Sequence, residues 1–266
     1  MTNARLIALW RYRSFIISSV RREFQLKYQN SLLGTAWTIL NPLAMIIIYT
    51  IIFSQIMQAK LPNSESFYAY SIYLCTGIIA WGLFAEILGR LQNLFLENAN
   101  ILKKLNFPRL TLPIIVVLSG LLNFAIIASL FLIFLLWTGQ LPGNAILFVV
   151  PVLIVQLLFS VGLGISLGIL NVFFRDIGHL FTIIIQFWFW LTPIVYPATI
   201  LPETIRMSLM IINPMAPIIS SYQTIFVYGT QPDWLTLIIP LVVGIIMMFA
   251  GLHLYVKHAH EIVDEL

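Results

Sequence analysis

Few residues in this 266-residue chain have a type and spacing suited to chemistry. Glu86 and Arg90 stand i, i+4 within an apolar run, an order in which carboxylate and guanidinium can pair along one helix face. Arg175-Asp176 lie at the end of another run. His253, His258 and His260 gather with Glu261 near the C-terminus, but no cysteine or second acidic cluster completes a metal set, and a solvated tail is expected there. Gly162-Leu163-Gly164-Ile165-Ser166-Leu167-Gly168 has the wrong spacing for a dinucleotide fingerprint. Gly164 and Gly168 are instead expected to form a small-residue face that lets two helices approach closely. No Gly-x-x-x-x-Gly-Lys-Ser/Thr occurs, so the sequence carries no phosphate-cradling P-loop. A series of membrane-depth carboxylates, as a proton- or sodium-driven carrier needs, is absent. If the protein moves a solute, the energy is expected from elsewhere.

The elements that must position these residues follow from composition. Hydrophobic residues make up 60% of the chain and charged ones 9%, against roughly 25% charged in a soluble domain. Apolar runs of roughly 20 residues, long enough to cross a bilayer, recur throughout. The expectation is an all-α integral membrane protein, a single domain over 1–266, with six spans near 33–57, 68–93, 111–137, 145–172, 178–197 and 234–256. Residues 1–30 read as an amphipathic arm. Leu6, Leu9, Trp10, Ile16, Ile17, Val20 and Phe24 form a stripe broken by Arg13, with Arg11, Arg21 and Arg22 off its centre. Arg21-Arg22-Glu23-Phe24-Gln25-Leu26-Lys27 also resembles a twin-arginine signal, but no small-residue cleavage site follows.

Charge placement sets the expected orientation. The arm, the loop holding Lys103, Lys104 and Arg109, and Arg90, Arg175 and Lys257 all fall on one side. Only Lys60 and Arg206 fall on the other, so both termini are expected in the cytoplasm. The stretch 198–232 is proline-rich yet apolar. Irregular backbone of that kind must be buried in protein or line a cavity. A re-entrant helix pair broken at Asn213-Pro214 is expected, with a loop lying flat on the outer leaflet as the alternative. Aromatics cluster at Phe187-Trp188-Phe189-Trp190, where an interfacial belt or core and a solute-lining surface both remain open.

Four motifs then stand in order. The basic arm runs from Arg21 to Tyr28 into Ser31-Leu32-Leu33-Gly34-Thr35-Ala36-Trp37 and Leu40-Asn41-Pro42. The loop Asn100-Ile101-Leu102-Lys103-Lys104-Leu105-Asn106-Phe107-Pro108-Arg109 precedes Pro113. Asn171-Val172-Phe173-Phe174-Arg175-Asp176-Ile177 and Thr192-Pro193-Ile194-Val195-Tyr196 complete the set. Together, over nearly the whole chain, they resemble the ABC-2-type permeases that export bacterial surface polysaccharides such as O antigens, capsules and teichoic acids.

The resemblance implies a permease without an ATP site, paired with a second copy of itself and two copies of a separate P-loop ATPase that holds ATP and Mg. It implies a lipid-linked, undecaprenyl-type polysaccharide as cargo, the bacterial inner membrane as location, and no nucleic-acid partner. Residues 95–110 would form the coupling loop, with Asn100, Lys103, Lys104, Phe107, Pro108 and Arg109 at the ATPase. Asn213 and Pro214 would belong to the outer gate. Arg21, Arg22, Lys27, Arg90 and Lys104 are the cations available to a lipid pyrophosphate, against the alternative of ordinary anionic-lipid binding. Trp37, Tyr49, Tyr73, Trp81, Trp188 and Trp190 would contribute rings to a dimer-facing path. Other readings remain: a membrane-embedded glycosyl- or acyltransferase, for which no positioned acid–base pair is visible, a non-catalytic membrane subunit, or a permease for another amphiphile.

Overall fold

The computed structural model describes residues 12–27, 33–57, 61, 66–99 and 111–257, and every regular element among them is helical. The chain runs through α1 (Arg13–Lys27), α2 (Trp37–Tyr49, continued by a π-helical turn, Thr50–Ile56) and α3 (Ala69–Glu97). It continues through α4 (Thr111–Thr138), α5 (Val149–Phe173, preceded by a 3-10 segment, Gly143–Phe148) and α6 (Asp176–Leu191). The last elements are α7 (Glu203–Ile212), α8 (Met215–Gln223, continued by a π-helical turn, Thr224–Tyr228) and α9 (Ile238–Lys257).

Five stretches are long and apolar enough to cross a membrane: Trp37–Ile56, Ala69–Glu97, Thr111–Thr138, Gly143–Phe173 and Ile238–Lys257. The run expected over 178–197 ends earlier. α6 holds 16 residues, about 24 Å at a rise of ~1.5 Å per residue, less than the ~30 Å hydrocarbon core. Its stop has a local cause. Thr192 precedes Pro193, and its φ of −96° and ψ of 135° place it in the extended region that a following proline favours.

In lipid, apolar side chains gain little by leaving the solvent, so helix association depends on close packing. α3 is the centre of that packing, with Phe84, Ile87 and Leu88 fully buried. The expected glycine face is present and does this work. A Cβ at Gly164 would lie 2.8 Å from Leu91 Cβ, and one at Gly168 would strike the Leu91 carbonyl. The opposite side of α5 meets α9 through Gly162, whose Cβ would lie 2.6 Å from Met248 N, and through Gly244, 2.8 Å from Phe159 N.

α1 lies across α4. Ile16 and Val20 are buried against Ile115, whereas Ile17 of the same stripe is 66% exposed. Contacts also order the bundle ends. α1, Arg90, Arg175 and Lys257 gather at the end where α3 stops, and Arg206 lies at the opposite end beside Asp233.

Candidate functional site

Three arrangements of polar and aromatic side chains stand out, one at each end of α3 and one along it. The first is built on the break between α7 and α8. Pro214 cannot donate a backbone hydrogen bond, and the chain turns there. Asn213 uses its whole amide at that turn. Its Oδ1 accepts from Trp188 Nε1 at 2.7 Å and from the Met215 N–H at 3.0 Å, while its Nδ2 donates to Thr192 Oγ1 at 2.9 Å. α8 is consequently seated in the core: Met215, Ala216, Ile218 and Ile219 are fully buried. α7, only one residue pair earlier, has no buried residue.

The 192–196 segment is drawn in beside α8. Ile194 is fully buried. Tyr70 donates to the Val195 carbonyl at 2.6 Å, and the Tyr73 hydroxyl reaches the Pro193 and Tyr196 carbonyls at 2.9 and 3.0 Å. Gln223 Nε2 also donates to the Pro193 carbonyl. Gly77 leaves room for this segment, since a Cβ there would lie 3.1 Å from both Ile194 and Gln223.

The six aromatic residues singled out by sequence therefore separate into two groups within one chain. Trp81 is buried and packs edge-on to Trp188 and Phe189, with ring centroids 6.3 and 5.7 Å away. Trp188 also meets Phe84 and Phe159. Tyr73 is buried by the 193–196 segment, and Tyr49 is half-buried beside Phe53. Trp37 and Trp190, at 38% and 64% exposure, remain open at the chain's surface.

At the α1 end, the expected Glu86–Arg90 pair does not form. Arg90 Nη2 instead pairs with Glu23 Oε2 of α1 at 2.7 Å, and Ser119 Oγ of α4 donates to the same oxygen at 2.6 Å. Glu86 Oε2 accepts from Asn123 Nδ2 of α4, also at 2.7 Å. The i, i+4 geometry permitted the local pair, but α1 and α4 bring better-placed partners. Arg21 and Arg22 are exposed, and Arg22 lines a cleft of about 470 Å³ with Glu23, Arg90 and Glu97. Lys27 is the last residue of α1.

Nearby, Asn171 fixes the end of α5. Its Nδ2 donates to the Gln92 carbonyl and Asn93 Oδ1, and its Oδ1 accepts from the Gly178 N–H at 2.9 Å. Gln92 Nε2 returns a bond to the Gly178 carbonyl. Asn100, Lys103, Lys104, Phe107, Pro108 and Arg109 lie outside the described residues, as do His258, His260 and Glu261.

The third arrangement is a cleft of about 330 Å³ between α2, α3 and α4, with Trp37, Asn41, Gly82, Glu86 and Asn123 among its lining residues. Sequence reasoning missed Glu23, Asn41, Ser119 and Asn123 as members of these sites. Polar residues recurring in otherwise apolar runs were the available signal.

Fold and sites together define a multi-pass membrane protein, helical in every regular element among the described residues, in which polar side chains join one helix to another. The model of the family described as ABC-2 type transporter matches residues 15–227. The chain belongs to that family. Among curated proteins, the O-antigen export system permease protein RfbA of Myxococcus xanthus is 32% identical over 260 residues, covering 97% of both chains. Two proteins of the same name from Klebsiella pneumoniae are each 29% identical over 252 residues, covering 94% of both chains.

Proposed function

We propose that this chain is the permease subunit of an ATP-driven exporter that moves a lipid-linked, O-antigen-like surface polysaccharide across the bacterial cytoplasmic membrane. The observation that carries the proposal is the end-to-end similarity to proteins named as O-antigen export permeases, at 32% identity over 97% of the chain. The sequence has no P-loop, so ATP and Mg belong to a partner ATPase, two copies of which would act with two copies of this chain. α6 with the segment after it would complete a sixth pass. α7 and α8 would be the re-entrant outer gate within 198–232, and both termini would lie in the cytoplasm.

In this assignment the exposed rings, Trp37 and Trp190, face the passing glycan. Tyr73, Trp81 and Trp188 hold the helices that carry them. Arg21 and Arg22, exposed on α1, are the arginines open to a lipid pyrophosphate, since Arg90 is engaged by Glu23. The 95–110 loop would dock on the ATPase.

Deleting the gene should abolish surface glycan, and restoring this chain should return it. The tagged chain should co-purify with a P-loop ATPase. Phe107→Ala, or Lys103→Glu with Lys104→Glu, should lower export and ATPase stimulation without lowering membrane levels of the permease. Surface glycan that persists undiminished after deletion would overturn the proposal.

A further inference from the structure

We infer that the cleft between α2, α3 and α4 is a sugar-binding subsite, in which Glu86, Asn41, Asn123 and the Trp37 ring receive a hydroxyl-bearing ring of the exported glycan. The inference deepens the export reading and rests on it.

Glu86 lies 11 positions before the end of α3 at Glu97, which places it about 16 Å inside that end at ~1.5 Å per residue. An ionisable group within a transmembrane segment is costly and marks a functional site unless a partner accounts for it. No cation among the described residues does so, because Arg90 one turn away is paired with Glu23. One oxygen of Glu86 accepts from Asn123 at 2.7 Å, and the other has no partner among the described residues. The Asn41 amide is exposed in the same cleft and likewise has no partner among them.

The lining has the mixed character that a sugar needs. A carboxylate accepts from hydroxyls, and an amide both donates and accepts. The Trp37 indole, 38% exposed, offers a flat wall to the apolar face of the ring. Gly82 contributes an open floor, with nothing within 4 Å of where a Cβ would stand. The volume of about 330 Å³ lies at the lower end of small-ligand sites, roughly 300–1,000 Å³. An acyl or isoprenoid tail would have no use for the amide and carboxylate. A hard divalent ion such as calcium would require about 6–8 oxygen ligands.

The test places a photo-reactive benzoylphenylalanine at Gly82, where the open space accommodates it, and at Ile133 as a control. Ile133 lies in a separate apolar groove between α2 and α4. Cells making each full-length variant are irradiated, the chain is purified, and covalently attached glycan is detected by periodate oxidation staining. Surface glycan is scored in the same cells. The expected signal at Gly82 is at least ~10-fold above that at Ile133 and falls about tenfold with Glu86→Gln or Asn41→Ala. Glu86→Gln retains an oxygen for Asn123, and Asn41→Ala alters only an exposed amide, so one variant can carry the test if the other fails to accumulate.

A glycan signal at Gly82 no greater than that at Ile133 overturns the subsite, while surface glycan restored by the unsubstituted chain leaves the exporter intact. A signal unaffected by either substitution also overturns it. Surface glycan independent of this chain overturns both readings.

Discussion

α3 and α6 are both apolar helices, yet the chain treats them in opposite ways. Most of α3 is buried, and its neighbours include α4, α5 and α8. No residue of α6 is buried, and Leu180, Ile183, Phe187 and Trp190 are each more than half exposed. The difference comes from small residues rather than hydrophobicity. α5 meets α3 through Gly164 and Gly168, and Gly77 of α3 accepts the turn that follows α6. α6 has only Gly178, which lies against the Asn171 amide at its first turn. Apolar surface alone does not bring helices together in lipid, whereas close backbone approach does. α3 is thus packed by its own chain, and α6 keeps one side open at the surface.

Four substitutions test that contrast, beginning with the largest expected effect. Gly168→Leu places a branched side chain where even a Cβ meets the Leu91 carbonyl. Overpacking costs about 1–3 kcal/mol, and more where backbone resists. Membrane levels should fall sharply, and the thermal transition of the detergent-solubilised protein should drop or disappear. Normal accumulation would show that the α3–α5 contact is looser than the geometry requires.

Trp188→Phe is the second test, at the hydrogen bond that ties α6 to the break between α7 and α8. Asn213 Oδ1 would keep the Met215 N–H and lose the indole donor. Because Oδ1 stays satisfied, the loss is that of one hydrogen bond, about 0.5–1.5 kcal/mol. The expected readout is a lower melting temperature, with faster cleavage by protease at 201–213 as α7 and α8 loosen.

Glu23→Gln is milder. The Glu23–Arg90 pair is more than a third exposed on its acidic side, and such pairs contribute about 0–1 kcal/mol. Melting should shift little, while α1 should become more accessible to thiol reagents when a cysteine is placed at Val20. An unchanged reactivity would mean that Ile16 and Val20 alone hold α1 on α4.

Trp190→Ala should have the smallest effect on stability, within about ±0.5 kcal/mol as for exposed positions generally. If α6 faces the cargo, export should nevertheless fall several-fold in surface-glycan measurements. Unchanged export would make the Trp190 ring a contact with lipid alone.

Much of this arrangement could be read from the residues. Long apolar runs located five of the six expected spans, because a bilayer demands length and composition together; the run over 178–197 was cut short at Pro193. Gly164 and Gly168 were legible because their spacing of four repeats on one helix face. The break at Asn213-Pro214 was legible because proline excludes a continuous helix. The partners of Glu86 and Arg90 were not. Sequence offers the neighbour four positions away, but Glu23 arrives from 67 positions upstream and Asn123 from 37 downstream. The division among the aromatics was equally hidden. Trp188 and Trp190 differ by two positions, yet packing on Trp81, Phe84 and Phe159 half-buries one and leaves the other open.

The two π-helical turns, Thr50–Ile56 and Thr224–Tyr228, both pack against α3 and make the chain unequally sensitive to single-residue deletions. A π turn closes its hydrogen bonds one residue later than an α turn, as Met57 N does on the Ile52 carbonyl at 2.8 Å. The extra residue is taken up as width, and the residues later in the turn keep their face. Removing one residue between Ile51 and Phe53 would therefore leave an ordinary α-helix with Ser54 still turned toward Ser71. The same deletion between Phe159 and Gly168 would rotate everything beyond it by about 100° and carry the glycine face off Leu91. Length variation that survives selection should therefore collect in the wide turns and be missing from α5.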